Sequence, residues 1–72
     1  MKIVVAEKMS ASAINLLREP EWTVITPEQI DGNLAAQLET ADALIVRSAV
    51  QVDAALLANA HQLRVVGRAG VG

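Results

Sequence analysis

Cysteine, phenylalanine and tyrosine are absent from the sequence, and Trp22 is its only aromatic residue. Without cysteine the chain forms no disulfide bond and no thiolate metal site, which is usual in a reducing cytosol. Hydrophobic residues make up 53% of the 72 residues, but thirteen of these are alanine, so the apolar area per residue is small. We therefore expect a cytoplasmic chain of one domain at most, with marginal stability.

An excess of charge of one sign and long apolar runs are also missing. Six basic residues stand against eight acidic ones, which gives a net charge of −2 and argues against nucleic-acid binding. The apolar runs Ile3–Ala6 and Leu44–Val46 are much shorter than the roughly 20 residues that a membrane-spanning helix needs. Glu7 and Lys8 interrupt any signal-peptide core. We expect no nucleic-acid partner and no membrane partner.

Short β-branched runs alternate with helical stretches, and this pattern indicates an α/β fold built from βαβ units around a parallel sheet. The predicted strands cover Lys2–Ala6, Trp22–Thr26, Ala43–Val46 and Leu63–Gly67. The third strand is apolar on both faces, which is typical of the centre of a parallel sheet. Right-handed crossovers favour the strand order 2-1-3-4, the flavodoxin-like, doubly wound arrangement.

Three helices are predicted between these strands. The first begins at a cap formed by Ser10 or Ser12 and ends at Pro20, the second covers about Asn33–Thr40, and the third covers Ala54–Ala60 after an Asp53 cap. The apolar positions of the first helix share one face, so we expect their side chains to be buried: Ala13, Ile14, Leu16 and Leu17. The first helix should cover one face of the sheet and the other two the opposite face.

An arginine directly follows each of the last two predicted strands: Arg47 follows the third strand and Arg68 follows the fourth. Neighbouring strands lie about 4.8 Å apart, and ligands of doubly wound sheets bind outside these strand ends. Two guanidinium groups there would bind a carboxylate or phosphate through charge-assisted hydrogen bonds, and Ser48 could add a hydrogen bond. The alternative is that each arginine pairs with an acid, for example Arg47 with Glu7. The matched positions favour a site for a small anion.

The segment Ala69-Gly70-Val71-Gly72 suits a turn whose bare amide groups face an anion. A truncated Gly-x-Gly-x-x-Gly dinucleotide fingerprint is the rival interpretation, but that fingerprint follows the first strand of its unit, and this segment follows the fourth. His61, the only histidine, precedes the fourth strand at the opposite edge of the sheet, so we predict a surface or capping role. We predict neither a metal site nor a catalytic residue in this chain.

Three segments together resemble the D-isomer-specific 2-hydroxy-acid dehydrogenases, in particular their D-3-phosphoglycerate branch. They are Lys2-Ile-Val-Val-Ala-Glu with Ser10-Ala-Ser-Ala-Ile, Ala43-Leu-Ile-Val-Arg-Ser-Ala-Val-Gln-Val-Asp, and Leu63-Arg-Val-Val-Gly-Arg-Ala-Gly-Val-Gly. The resemblance extends over essentially the whole chain. It implies that residues 1–72 are the N-terminal part of a flavodoxin-like substrate-binding domain, next to which a separate Rossmann domain holds NAD.

The reaction implied by the resemblance is hydride transfer from the C2 hydroxyl of 3-phosphoglycerate to NAD, which gives 3-phosphohydroxypyruvate and begins serine synthesis. The resemblance also implies site residues. Arg47 and Ser48 match positions next to the substrate, Arg68 matches a position in the cleft, the amides of Ala69 and Gly70 match a carboxylate-binding turn, and Val71 matches a position that contacts the cofactor.

The family's glycine-rich NAD domain, its catalytic arginine and glutamate, and its acid–base histidine have no counterpart in the chain. Hydride transfer needs an oriented nicotinamide and a general base, so we expect the chain to be inactive alone. The fourth strand would leave an apolar edge open above a small core, so we also expect a homo-oligomer. The alternative from another class is a free-standing flavodoxin-like binding or assembly module. A phospho-receiver module is disfavoured because Arg47 stands where an aspartate would be needed.

Overall fold

A computed structural model of the chain describes residues 1–68 and places four parallel strands in the order β2-β1-β3-β4. The strands are β1 (Lys2–Val5), β2 (Thr23–Ile25), β3 (Ala43–Val46) and β4 (Val65–Arg68). In the central pair Ile3 lies opposite Ala43 and Val5 opposite Ile45. The predicted α/β fold and its flavodoxin-like strand order are confirmed.

Four helices, one more than predicted, occur among the described residues: α1 (Ala11–Asn15), α2 (Pro27–Ile30), α3 (Leu34–Leu38) and α4 (Ala54–Leu57). The additional helix is α2, which begins at Pro27 and lies between the second predicted strand and the predicted helix Asn33–Thr40. Proline suits the first position of a helix because the N–H that it lacks would have no partner there. Gln29 completes the start of α2, since its side-chain oxygen accepts the Thr26 N–H at 2.9 Å. None of these helices is long and apolar enough to cross a membrane.

Helix α1 is shorter than predicted. Ser10 is its cap, since the hydroxyl accepts the Ala13 N–H at 3.2 Å, but the helix ends at Asn15 and not at Pro20. Leu16 therefore leaves the apolar face and is 79% exposed, so its predicted burial is wrong. Ile14 and Leu17 do pack against the sheet.

The two faces of the sheet carry separate apolar cores, because successive side chains of a strand point to opposite faces. The core under α3 and α4 is centred on Val4, Leu38 and Leu44. The core under α1 is smaller and contains four buried residues, Ile3, Val5, Val24 and Ala43. This distribution confirms that the first helix covers one face and the later helices the other.

Strand β4 is the least covered part of the sheet. Val65 is 58% exposed and Val66 is 44% exposed, and as neighbours in a strand they lie on opposite faces. No strand among residues 1–68 pairs with the outer edge of β4. Apolar surface on both faces and open backbone groups on one edge thus coincide at this strand.

Asp42 connects β1, β3 and β4 by hydrogen bonds at the amino edge of the sheet. Its carboxylate accepts the Lys2 N–H at 2.8 Å, its own N–H donates to the Lys2 carbonyl at 2.9 Å, and its carbonyl accepts the Arg64 N–H at 2.9 Å. The exposed His61 lies in the turn just before β4, at this same edge. His61 therefore lies at the opposite edge of the sheet from Arg47 and Arg68, as predicted.

Candidate functional site

The segments that follow β1 and β3 meet at the carboxyl edge of the sheet. The Ala6 N–H donates to the Ile45 carbonyl at 2.9 Å, which extends the pairing of the two strands to the point where they end. Glu7 therefore leaves β1 beside the place where Arg47 leaves β3. Residues 47–50, which we call the 47–50 loop, have no helix or strand structure and begin at this point.

The Glu7 carboxylate binds the main chain of the 47–50 loop. One oxygen accepts the Arg47 N–H at 2.6 Å and the Val50 N–H at 3.1 Å, and the other accepts the Ala49 N–H at 3.1 Å. Three amide donors on one carboxylate form an anion-binding concavity of the kind that phosphate loops provide. The anion bound here belongs to the chain itself.

The pKa of Glu7 is lowered by these contacts. Burial alone would raise this pKa, but the N–H groups of Val50, Arg47 and Ala49 and the positive charge of Arg47 outweigh burial and bring the pKa below that of an ordinary glutamate. The carboxylate is therefore ionised at neutral pH, and its negative charge is stabilised by main-chain N–H groups. Glu7 therefore bonds to the main-chain N–H of Arg47 and not to its guanidinium, which differs from the side-chain pair that the sequence offered as an alternative.

The guanidinium of Arg47 contacts a different segment, because its Nη1 atom donates to the Lys8 carbonyl at 3.3 Å. This is a single long bond on an exposed side chain, so a carboxylate or phosphate with two oxygens to offer would be a stronger partner. Ser48 is exposed in the same loop. The structure brings Arg47 and Ser48 together at the carboxyl edge of the central strands.

Arg68 lies at the end of β4, opposite Val46, and is therefore one residue short of the level of Arg47. Its side chain is exposed. Arg47 directly follows β3 and Arg68 ends β4, so the two arginines lie at the same edge of the sheet as predicted, but one residue out of the matched register. Three further predicted site residues, Ala69, Gly70 and Val71, lie outside the described residues.

An open apolar groove of about 310 Å³ runs between α1 and the ends of β3 and β4 and reaches Arg68. Its lining residues are Met9, Ala13, Leu16, Leu17, Ile45, Gly67 and Arg68. A larger hollow of about 530 Å³ lies before β2, around Glu19 and Trp22. That hollow is at the amino edge of the sheet, where this type of fold does not bind ligands. Among residues 1–68 no group of three His, Cys, Asp or Glu side chains is arranged to hold a metal ion.

The role of Glu7 is the part of the site that sequence reasoning missed. The signal available was a glutamate directly after the predicted strand Lys2–Ala6, at the level of Arg47 in the register that pairs Val5 with Ile45. That position predicts proximity. It does not show that the loop turns its amides toward the carboxylate, because this depends on the backbone path of residues that have no regular structure.

Comparison with known proteins finds relatives over nearly the whole chain. D-3-phosphoglycerate dehydrogenase of Mycobacterium leprae is 42% identical over 73 residues, which covers 97% of this chain and 13% of that protein. The enzymes of the same name from Bacillus subtilis and Archaeoglobus fulgidus are 37% and 36% identical, over 99% and 100% of the chain. The chain thus spans 13–14% of the length of these relatives. No solved structure matches it.

A family model described as the catalytic domain of D-isomer specific 2-hydroxyacid dehydrogenases matches residues 3–72. The match includes β1 from Ile3 onward, the 47–50 loop and β4, which together carry the candidate site residues described above. The chain belongs to the D-isomer-specific 2-hydroxyacid dehydrogenases.

Proposed function

We propose that this chain provides part of the substrate anion site of an NAD-dependent D-3-phosphoglycerate dehydrogenase, an enzyme that oxidises the C2 hydroxyl of 3-phosphoglycerate to a ketone. The observation that carries the proposal is the exposed Arg47–Ser48 pair at the carboxyl edge of the central strands, next to the strand that ends in Arg68. The names of the relatives support the choice of substrate.

The substrate carries a carboxylate and a phosphate, and the charges of the proposed site suit both. Arg47 and Arg68 offer two guanidinium groups on adjacent strands, and guanidinium is the side-chain group that best matches oxyanions. Ser48 adds a hydroxyl. In this proposal the amides of Ala69 and Gly70 complete the carboxylate site, and Val71 contacts the cofactor.

The turn after β1 does not fit the pyrophosphate of NAD. A dinucleotide fold holds the pyrophosphate at a glycine-rich turn after its first strand, whereas the turn after β1 contains no glycine and carries the ionised Glu7. The cofactor therefore belongs to another part of the working protein, which we expect to be a cytoplasmic homo-oligomer. The chain's own role is to bind and orient the substrate, and by itself it should be inactive.

A binding or assembly module remains the second candidate, and the exposed β4 edge favours it. A free-standing module would bind a partner chain at this edge and would need no substrate. The two functions differ in what Arg47 does. An assembly module does not require this residue, whereas a substrate site does.

The test is Arg47→Ala in a dehydrogenase-length protein that carries this segment. We expect the KM for 3-phosphoglycerate to rise roughly tenfold or more, the effect of losing a charge-assisted hydrogen bond, while the KM for NAD stays the same. Arg64→Ala is the matched control, because Arg64 is also exposed but lies at the amino edge. Unchanged kinetics for 3-phosphoglycerate in the Arg47 variant would contradict the proposed function.

A further inference from the structure

Glu7 joins the turn after β1 to the loop that carries the proposed substrate-binding residues. Its carboxylate accepts three N–H groups of the 47–50 loop, those of Arg47, Ala49 and Val50, at 2.6–3.1 Å. The first three residues of this loop are exposed. Val50 packs against the core under α3 and α4, whereas the path of the three exposed residues is defined mainly by the hydrogen bonds of Glu7.

We propose that Glu7 is a positioning residue of the substrate site, which fixes the 47–50 loop so that the Arg47 guanidinium and the Ser48 hydroxyl face an anionic substrate. The inference rests on the proposed function, because it assigns Glu7 a task only if Arg47 and Ser48 bind the substrate. Glu7 itself touches neither substrate nor cofactor in this proposal.

A glutamate beside an anion site would ordinarily repel the ligand. Here the three main-chain N–H groups offset the charge, and the carboxylate therefore costs the site little electrostatic attraction. This binding also leaves the Arg47 guanidinium without a hydrogen bond to Glu7, since it donates instead to the Lys8 carbonyl at 3.3 Å. An ion pair between the two side chains would instead have occupied the group that the substrate needs.

Glu7→Gln tests the assignment with little change of shape. A glutamine has one acceptor oxygen and one donor nitrogen in place of two acceptors, so at least one of the three loop hydrogen bonds is lost. In the dehydrogenase-length protein we expect the KM for 3-phosphoglycerate to rise roughly tenfold, the effect of one charge-assisted hydrogen bond. The kcat and the KM for NAD should change little.

Glu39→Gln is the matched control, because it removes the same charge at an exposed position at the end of α3. If Glu7→Gln leaves the substrate KM unchanged while Arg47→Ala raises it, the positioning role is wrong and the proposed function stands. If both variants leave it unchanged, the proposed function fails. The two failures are therefore distinguishable.

A measurement on the unaltered 72-residue chain covers the case in which Glu7→Gln does not fold. In an NMR pH titration the amide signals of Arg47, Ala49 and Val50 should shift together with the Glu7 carboxyl carbon. Inorganic phosphate should then shift the Arg47 and Ser48 signals while Glu7 is ionised, and do so much less once it is protonated. Amide signals that do not follow Glu7, or a phosphate response independent of its ionisation, would overturn the proposal.

Discussion

At the scale of single residues, the carboxyl-edge site combines predictable and unpredictable parts. The positions of Arg47 and Arg68 follow from strand order alone, because the carboxyl ends of neighbouring parallel strands must meet. The role of Glu7 does not follow from it. Whether a glutamate binds a guanidinium or a row of amides is decided by the backbone path of the 47–50 loop, and that loop has no repeating sequence pattern from which its path could be predicted.

Ionisation of Glu7 should nevertheless be visible in the stability of the chain, because the folded pKa of this glutamate is below that of an ordinary carboxyl. A lowered pKa means that the stabilisation is present at neutral pH and is lost as pH falls from about 4.3, the ordinary glutamate value, through the lower folded pKa. We expect wild-type protein to be more stable than Glu7→Gln at neutral pH, and the difference to shrink below that value. Urea unfolding across this pH range measures it, with Glu39→Gln as the charge control, and a difference independent of pH would refute the expectation.

At the scale of elements, the strands are well predicted and the helices less so. β1 and β3 are continuous apolar runs in the middle of the sheet, and burial on both faces leaves them few alternatives. Helix ends depend on local hydrogen bonds, which explains why α1 ends at Asn15, five residues before Pro20.

The early end of α1 has a measurable effect at Leu16, which is 79% exposed. Leu16→Gln should change the free energy of unfolding by less than about 0.5 kcal/mol, as is usual for surface positions. Leu38→Ala, in contrast, removes a side chain with no exposed surface and should cost roughly 2–5 kcal/mol. Denaturant unfolding of both variants checks this, and a loss above about 2 kcal/mol for Leu16→Gln would show that α1 continues as the sequence pattern predicts.

At the scale of the whole molecule, catalysis should require more than this chain. In the proposed function this chain supplies substrate-binding residues only, and the turn after β1 does not fit the cofactor, so we expect no NADH when the purified 72-residue chain is mixed with 3-phosphoglycerate and NAD. A full-length D-3-phosphoglycerate dehydrogenase in the same assay is the positive control. Absorbance of NADH above a protein-free blank would contradict this expectation.

Self-association is the second expectation at this scale, because β4 exposes Val65, Val66 and an open backbone edge. A two-fold axis makes identical edge strands pair antiparallel, and pairing centred on Val66 would bring Arg64 of one copy opposite Arg68 of the other. Salt should therefore strengthen the association by screening these like charges. Sedimentation from micromolar to millimolar protein measures it, and Val65→Lys, which adds a charge to the edge strand, should favour the monomer. A folded wild-type monomer at every concentration would refute the expectation.

The hydrogen bonds of Asp42 also bear on how the length of this chain can change. Asp42 fixes the starting points of β1, β3 and β4 through Lys2 and Arg64, immediately before β3 begins at Ala43. One residue inserted between Asp42 and Ala43 would exchange the two faces of β3 and move Leu44 from the core under α3 and α4 to the smaller core under α1. Insertions in the exposed segment 19–21 would disturb no such alignment. Natural variation in length should therefore be excluded from the amino end of β3 and tolerated before β2.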